Sequence, residues 1–487
     1  MPAVVSVVVA AVAGAFLVLA YPPSGWGWIA VPTTAMFLWA VRKAGRDGRP
    51  WLTGLVFGVT FFTLLFPWLA ELGVIALIPL VLAQAAFPTA YAWLLGRLEE
   101  PSAWFAGAVG GWALMEWVRV RFPLGGFAWG LLGYPAGEYD ALRDAAQWIG
   151  ASGWSVLIAG VAAGLALAVE DRSVRWPIVP IGLTAILGGL GAAFPAVADG
   201  SEVRVAVVQG DNPCAGVSCP RSEVYASHLE LTRTLEPGTV DLVVWPEGST
   251  GFAADPVLHP EIAAEIGETL RRLDTALLAG GDRPISDEEW VNANVVFDDS
   301  GRIVGQYLKR HPLPFAEYVP SRPLFGWIPE LRRVPRDMAP GDGPVVFDVG
   351  FGPFGSVISF ESSFARYARD TVRAGADLLV VATSQVSYPE SNASDQLIGI
   401  TRMRSAELGV DVIHGAVTGR SVLITRSGEL GERTPLAEPA MIIGTVRMRA
   451  SGPTLYALAG DWVQTTAVLA AGIVLWIRRR QAPKRST

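Results

Sequence analysis

The sequence predicts a polytopic α-helical membrane bundle of eight spans that carries a separate α/β domain outside the cytoplasm. Three observations lead there. The 487 residues are 51% hydrophobic and only 17% charged, with a mean hydropathy of +0.37, on the membrane side of soluble composition. Eight apolar stretches, near 3–20, 26–41, 51–69, 73–96, 103–118, 145–169, 176–196 and 463–477, approach the roughly 20 residues that cross a bilayer core. Between the seventh and the eighth lies a region of different texture, polar and punctuated by glycine and proline, which sets the domains at 1–199, 200–462 and 463–487.

The first stretch has no Lys or Arg before it and six more follow before the polar region, so it reads as an uncleaved helix and not a signal peptide. Positive loops stay cytoplasmic. With the N-terminus inside, that side collects Arg42, Lys43, Arg46, Arg49, Arg97, Arg172, Arg175, Arg478, Arg479, Arg480, Lys484 and Arg485, against Arg119, Arg121 and Arg143 outside. Both termini are then cytoplasmic and the polar region is external. The outer loop 117–134, with Trp117, Phe122, Phe127, Trp129 and Tyr134, reads either as an interfacial aromatic belt or as a gate for lipid.

In the polar region short β-branched runs (Val203 to Val208, Leu242 to Trp245, Val357 to Phe360, Leu378 to Val381) alternate with helical patterns at 222–235, 259–273 and 395–408, the signature of an α/β layered domain. Residues 200–463 carry 23 basic and 34 acidic side chains, so a nucleic-acid surface is not expected. All but three of the 38 basic residues are arginine, and Lys309 is the one lysine of this region. Cys214 and Cys219 lie on the oxidising side and read as a local disulfide. The four histidines, His228, His259, His311 and His414, lack metal-like spacing; His311, two residues from Lys309, is the one that could line a pocket.

Three polar residues follow strand-like runs: Glu247 after Val243-Val244-Trp245-Pro246, Lys309 after Ile303 to Leu308, and Ser359 after Ser356-Val357-Ile358. Strand ends of an α/β domain converge on one pocket, where a carboxylate, an ammonium and a hydroxyl supply a general base, an oxyanion stabiliser and a nucleophile. The three side chains should then lie within one or two hydrogen-bond lengths of each other. The segment Pro312 to Trp327 adds a dense apolar set, Leu313, Phe315, Leu324, Phe325, Trp327 and Ile328, expected to face the membrane and guide lipid to the pocket.

Taken together, Val208-Gln209-Gly210, Trp245-Pro246-Glu247, the run YLKRHPLPFAEYVP from Tyr307 to Pro320, and Arg402-Met403-Arg404-Ser405-Ala406-Glu407-Leu408-Gly409, in that order below seven spans, resemble the apolipoprotein N-acyltransferases of the nitrilase, or carbon-nitrogen hydrolase, superfamily. The resemblance implies a nitrilase-type αββα sandwich for the outer domain. It implies transfer, at a bacterial plasma membrane, of an acyl chain from a phospholipid to the N-terminal amine of a diacylglyceryl-cysteine in a lipoprotein, with no metal or organic cofactor. By position it makes Glu247 the general base, Lys309 the oxyanion group, Glu317 the second glutamate that holds the lysine, and residue 359 the site of an acyl-enzyme. Phe360, Glu361, Phe325, Trp327 and Trp129 are expected to contact substrate.

The departure is at the nucleophile. Where the family reads Cys-(Tyr/Phe)-Glu, this chain reads Ser359-Phe360-Glu361, and a serine hydroxyl is a far weaker acid than a thiol. Nearby, Ser384-Gln385 and Val417-Thr418-Gly419 stand where the family has Asn followed by Asp or Asn, and an Asn-rich turn. The alternative reading is therefore a catalytically silent scaffold or lipid-binding partner of another envelope enzyme.

Overall fold

The computed structural model describes residues 3–196, 200–212 and 221–481; Cys214 and Cys219 lie outside them. The chain forms two compact units, 1–195 with 459–487, and 196–458, so the last helix joins the N-terminal helices.

The helical unit contains α1 (Ala3–Leu17), α2 (Ala30–Arg46), α3 (Pro50–Leu65), α4 (Val74–Leu95), α5 (Pro101–Arg119), the short α6 (Asp140–Asp144), α7 (Ala146–Asp171) and α8 (Arg175–Ala193). A helix stands at each of the eight expected spans, the last being the C-terminal helix described below. Among the described residues three helices, Val74–Leu95, Ala146–Asp171 and Arg175–Ala193, are long and apolar enough to cross a membrane. The expected 51–69 span, for instance, ends at Leu65 because Pro67 opens a 3-10 turn over Pro67–Leu72, proline being unable to continue the α-helical ladder. Helices α3 and α4 pack closely: a Cβ on Gly54 would lie 2.3 Å from the Pro88 carbonyl oxygen, and one on Gly58 2.8 Å from the Ala85 Cα, so the two touch through small residues. At one end Glu170 pairs with Arg42, Lys43 and Arg46, and Arg42 also donates to the Glu99 carbonyl.

The second unit is an αββα sandwich. Its strands are β1 (Glu202–Gln209), β2 (Leu242–Trp245), β3 (Ala276–Pro284), β4 (Glu289–Phe297), β5 (Ile303–Leu308), β6 (Asp337–Met338), β7 (Val346–Asp348), β8 (Pro353–Ile358), β9 (Leu378–Thr383), β10 (Asp411–Ala416), β11 (Val422–Ile424), β12 (Leu430–Arg433) and β13 (Ala440–Arg447). One sheet runs β13-β1-β2-β3-β4-β5 with β6 beside β4; the other runs β12-β11-β10-β9-β8-β7. Between β1 and β2 comes α9 (Arg221–Arg233), after β2 α10 (Pro260–Leu273), after β5 α11 (Arg322–Phe325), after β8 α12 (Ala365–Arg373), after β9 α13 (Ala393–Leu408), and at the end α14 (Leu455–Ala459) and the C-terminal α15 (Trp462–Gln481).

Period-two alternation explains the layers. Val205, Val207, Leu242 and Val244 face Phe354, Ile358, Leu378, Val380 and Ile413 between the sheets. Their neighbours Ala206, Val208, Val243 and Trp245 pack under Tyr225, Leu229, Ile266 and Leu270 of α9 and α10. Val357, Leu379, Val381 and Val412 meet Ala368, Val372, Ile398 and Leu408 of α12 and α13. Strands β1, β2 and β3 are mutually parallel, as are β8, β9 and β10. The Asp211 amide donates to the Val417 carbonyl at 3.1 Å, so the carboxyl ends of both parallel sets reach one edge, where open α/β sheets place their ligands.

Candidate active site

Glu247 leaves the end of β2 through Pro246. Glycine at 280 permits this, because a Cβ there would lie 2.1 Å from the Pro246 carbonyl oxygen and 2.7 Å from the Glu247 Cα. Lys309 continues β5, its amide donating to the Asn292 carbonyl at 2.9 Å. The chain then turns back on itself: the Glu317 amide donates to the Leu313 carbonyl at 2.9 Å and the Leu313 amide to Glu317 Oε2 at 2.7 Å. That turn brings the second glutamate onto the lysine eight residues earlier.

The three side chains make one buried centre. Lys309 Nζ lies 3.2 Å from Glu247 Oε1 and 2.5 Å from Glu317 Oε1, and only 2% of Lys309 is exposed. Burial alone would push the ammonium pKa down; the two carboxylates outweigh it and hold Lys309 well above the ordinary lysine range, so it is charged at all working pH values. Burial, helped by the negative charge of Glu247, pushes the Glu317 carboxyl up against the pull of Lys309. Asn292, within β4, donates through Nδ2 to Glu247 Oε1 at 2.8 Å and fixes which lone pairs the base keeps. The alternation Asn292-Ala293-Asn294 in an apolar strand was a visible sign of this residue.

Ser359 does not continue its strand. β8 stops at Ile358 and a 3-10 turn over Ser359–Ser363 begins, with Ser359 at φ +54°, a left-handed conformation that non-glycine residues adopt only when their surroundings impose it. The agent is Glu361. Its fully buried carboxylate accepts from the amides of Ile358 (2.8 Å), Arg310 (2.5 Å) and His311 (3.1 Å) and from the Tyr307 hydroxyl (2.8 Å). Expected to contact substrate, Glu361 instead ties the backbone before Ser359 to the backbone after Lys309. Both carboxylate oxygens are occupied by the chain's own donors.

Phe360 also faces inward. It is 8% exposed and meets Phe364 edge-on at 5.1 Å, with the His311 ring 6.0 Å away. His311 is buried, its Nδ1 lies 3.0 Å from the Tyr367 hydroxyl, and burial first, then the charges of Arg366 and Lys309, lower its pKa to about 3; it is neutral and supports the turn. Trp129 is likewise interior to the helical unit: 4% exposed, its ring 5.3 Å from that of Trp68 and its carbonyl accepting from Arg119 at 2.7 Å. The loop around it divides, with Phe127, Trp129 and Tyr134 buried and Trp117, Phe122 and Leu124 exposed. Phe325 is half-buried against Phe315, whereas Trp327 and Leu324 are 76% and 62% exposed, so this apolar arm is surface and not domain core. Tyr388, which the sequence reading passed over, lies where Glu247, Lys309 and Glu317 all act on its phenol, and burial with the two carboxylates raises its pKa. Among the described residues no group of three His, Asp or Glu side chains converges so as to hold a metal ion.

Residues 13–164 match the apolipoprotein N-acyltransferase N-terminal domain and residues 204–452 the carbon-nitrogen hydrolase domain. The apolipoprotein N-acyltransferase of Geobacter metallireducens is 29% identical, over 96% of this chain and 94% of its own. That of Mycolicibacterium smegmatis is 28% identical, over 95% and 83%. A solved carbon-nitrogen hydrolase from Helicobacter pylori G27 superposes with a TM-score of 0.39 at 16% identity, covering 55% of this chain and 94% of the other. Two domain matches in this order, backed by relatives that align along nearly the whole length, place the chain in the carbon-nitrogen hydrolase family and, within it, among the apolipoprotein N-acyltransferases.

Proposed function

We propose that this chain transfers an acyl chain from a phospholipid to the N-terminal amine of a diacylglyceryl-cysteine in a lipoprotein, through an ester on Ser359. In the first half-reaction Ser359 Oγ attacks the ester carbonyl of the lipid while its proton passes to Glu247. The carbonyl electron pair moves to oxygen, opposite Lys309, and collapse expels the lysophospholipid alkoxide, which recovers the proton from Glu247. In the second, the acceptor amine attacks the Ser359 ester and loses a proton to Glu247, and collapse breaks the Ser359 Oγ–acyl bond, the departing Ser359 oxygen taking that proton back from Glu247. Glu317 keeps the ammonium aimed.

The observation that carries this reading is the buried Glu247–Lys309–Glu317 centre. The two carboxylates keep the Lys309 ammonium protonated and fixed, and its remaining N–H can meet a developing oxyanion, worth several kcal/mol where water is excluded; a silent scaffold has no need of it. The basic cluster joined by Glu170, with Arg478 near Glu100 at the same group of helix ends, supports a cytoplasmic face holding both termini and an external catalytic domain. The exposed Leu324 and Trp327 suit an arm that works at lipid.

Purified full-length protein, given a phospholipid of defined acyl composition and a diacylglyceryl peptide, should yield N-acylated peptide by mass spectrometry, and Lys309→Gln should yield none. Equal product from both chains would overturn the reading.

A further inference from the structure

Gln385 stands just past β9 in a position that packing does not explain. It is 7% exposed, yet neither its Oε1 nor its Nε2 has a hydrogen-bond partner among the described residues. Burying a carboxamide without using it costs stability. Its backbone is left-handed as well, at φ +60°, a second cost for a residue that is not glycine.

The neighbourhood is nevertheless built around it. A Cβ on Gly419 would lie 1.5 Å from Gln385 Oε1, so glycine there is what makes room for this side chain. The Thr418 amide and hydroxyl both donate to the Ser384 carbonyl, at 3.3 and 3.1 Å. Ser384-Gln385 and Val417-Thr418-Gly419, two separate oddities in the sequence, are thus one mated pair.

The location is the nucleophile's. Strands β8 and β9 are parallel with Ile358 opposite Ala382, so Ser359 and the segment after Thr383 leave the sheet side by side. Three residues on, the Tyr388 amide donates to the Gln385 carbonyl at 3.1 Å, and Tyr388 is the residue whose phenol feels Glu247, Lys309 and Glu317. Lys309 commits two of its three N–H groups to those glutamates, which leaves one for an oxyanion.

We propose that Gln385 is a catalytic residue of this chain, its carboxamide N–H donating to the oxyanion of the tetrahedral intermediate on Ser359 beside Lys309. This rests on the acyl-enzyme reading above. The unused hydrogen-bonding capacity is then spent when the intermediate forms, and the folding cost is the usual one for a group reserved for a transition state.

The test is the single-turnover rate of acyl-enzyme formation at residue 359, read by intact mass on the full chain in mixed micelles of a dipalmitoyl phospholipid, alongside thermal melting. Gln385→Ala should slow acylation about 100-fold, the scale of one oxyanion donor, with a melting temperature unchanged or higher. Gly419→Ala should slow it too, by displacing the carboxamide, and should add nothing in the Gln385→Ala background. Acylation by Gln385→Ala within threefold of the unmodified chain would overturn the proposal. If Gln385→Ala fails to fold, Gln385→Met decides: slow acylation in a folded chain supports the proposal, whereas normal acylation, or loss of the fold again, assigns Gln385 to packing and overturns it. Absence of any adduct in the unmodified protein would remove the acyl-enzyme reading and this one together, an outcome distinct from the others.

Discussion

The two sheets contribute to the site in opposite ways. From the first, Glu247, Asn292, Lys309 and Glu317 arrive paired with one another at 2.5 to 3.2 Å on ordinary backbone. From the second, Ser359 and Gln385 arrive on left-handed backbone, half-exposed in one case and buried without partners in the other. The charges are settled by pairing and so need no reorganisation when the reaction begins. The groups proposed to meet the substrate carbonyl are held by constraint. Glu361 joins the halves, since its carboxylate bridges the backbone before Ser359 and the backbone after Lys309.

The paired half should break hardest. In Lys309→Met the buried Glu247 and the half-buried Glu317 lose their common counter-charge, and acyl transfer should fall at least about 1,000-fold, the scale on which a preorganised charge contributes. Stability should fall by about 3 to 5 kcal/mol, as when one member of a buried ion pair is removed, measured by denaturant unfolding. A folded Lys309→Met chain of full activity would dissolve the distinction between the two halves.

The constrained half should respond in the opposite sense. Ser359→Cys should raise the rate of acyl-enzyme formation by roughly 100-fold or more, because Glu247 takes a proton from a thiol of pKa near 8.5 far more readily than from an alcohol. The mated fit of Gln385 with Gly419 is the reason to expect an intact site around it. A single-turnover rate no higher than that of the serine chain would mean that the geometry does not serve a nucleophile at 359.

The bridge is next in size. Glu361→Ala strands three amides and one hydroxyl, each worth about 1 kcal/mol, so the α/β unit should lose about 4 kcal/mol in urea unfolding. Loss of activity with unchanged stability would place Glu361 at the substrate after all.

The smallest effect lies away from the site. His414 is fully buried in β10 with neither ring nitrogen partnered among the described residues, and burial lowers its pKa to about 3. Between that value and the unfolded value near 6.5 the unfolded chain binds a proton that the folded chain does not. Its share of stability is therefore whole above about pH 6.5 and declines as the pH falls toward 3, amounting to about 2 kcal/mol at pH 5. His414→Leu should flatten the stability profile between pH 7 and 5 by that amount; an unchanged slope would show that His414 does not titrate on unfolding.

Much of this is legible in the sequence. Lys309 stood out as the one lysine of its region, and Glu247 and Glu317 fell at strand-end and turn positions that a linear motif records. Hydropathy located the eight long helices of the helical unit, because eight separated apolar runs leave few alternatives, but not how far each runs before a proline or a charge ends it. Orientation and hydrogen bonding were what stayed hidden. Nothing in Ser359-Phe360-Glu361 says that the glutamate turns inward to four donors, that the phenylalanine packs on Phe364, or that the strand ends at Ile358, two residues before the end of the expected run. Trp129 reads as an open aromatic in an outer loop and is interior because Arg119 draws that loop's carbonyls onto α5. Gln385 reads as a departure from the family pattern, and only Gly419, thirty-four positions on, shows that the departure was accommodated.

The central claim is that Ser359 carries the acyl chain. The direct measurement is peptide mass spectrometry of the full chain after incubation with dipalmitoyl phospholipid and no amine acceptor, with Ser359→Ala in parallel. An increment of one palmitoyl group on the peptide containing Ser359, absent from Ser359→Ala and discharged by a diacylglyceryl peptide, is the predicted result. A chain that N-acylates the acceptor while Ser359 remains unmodified, or one in which Ser359→Ala works equally well, would contradict it.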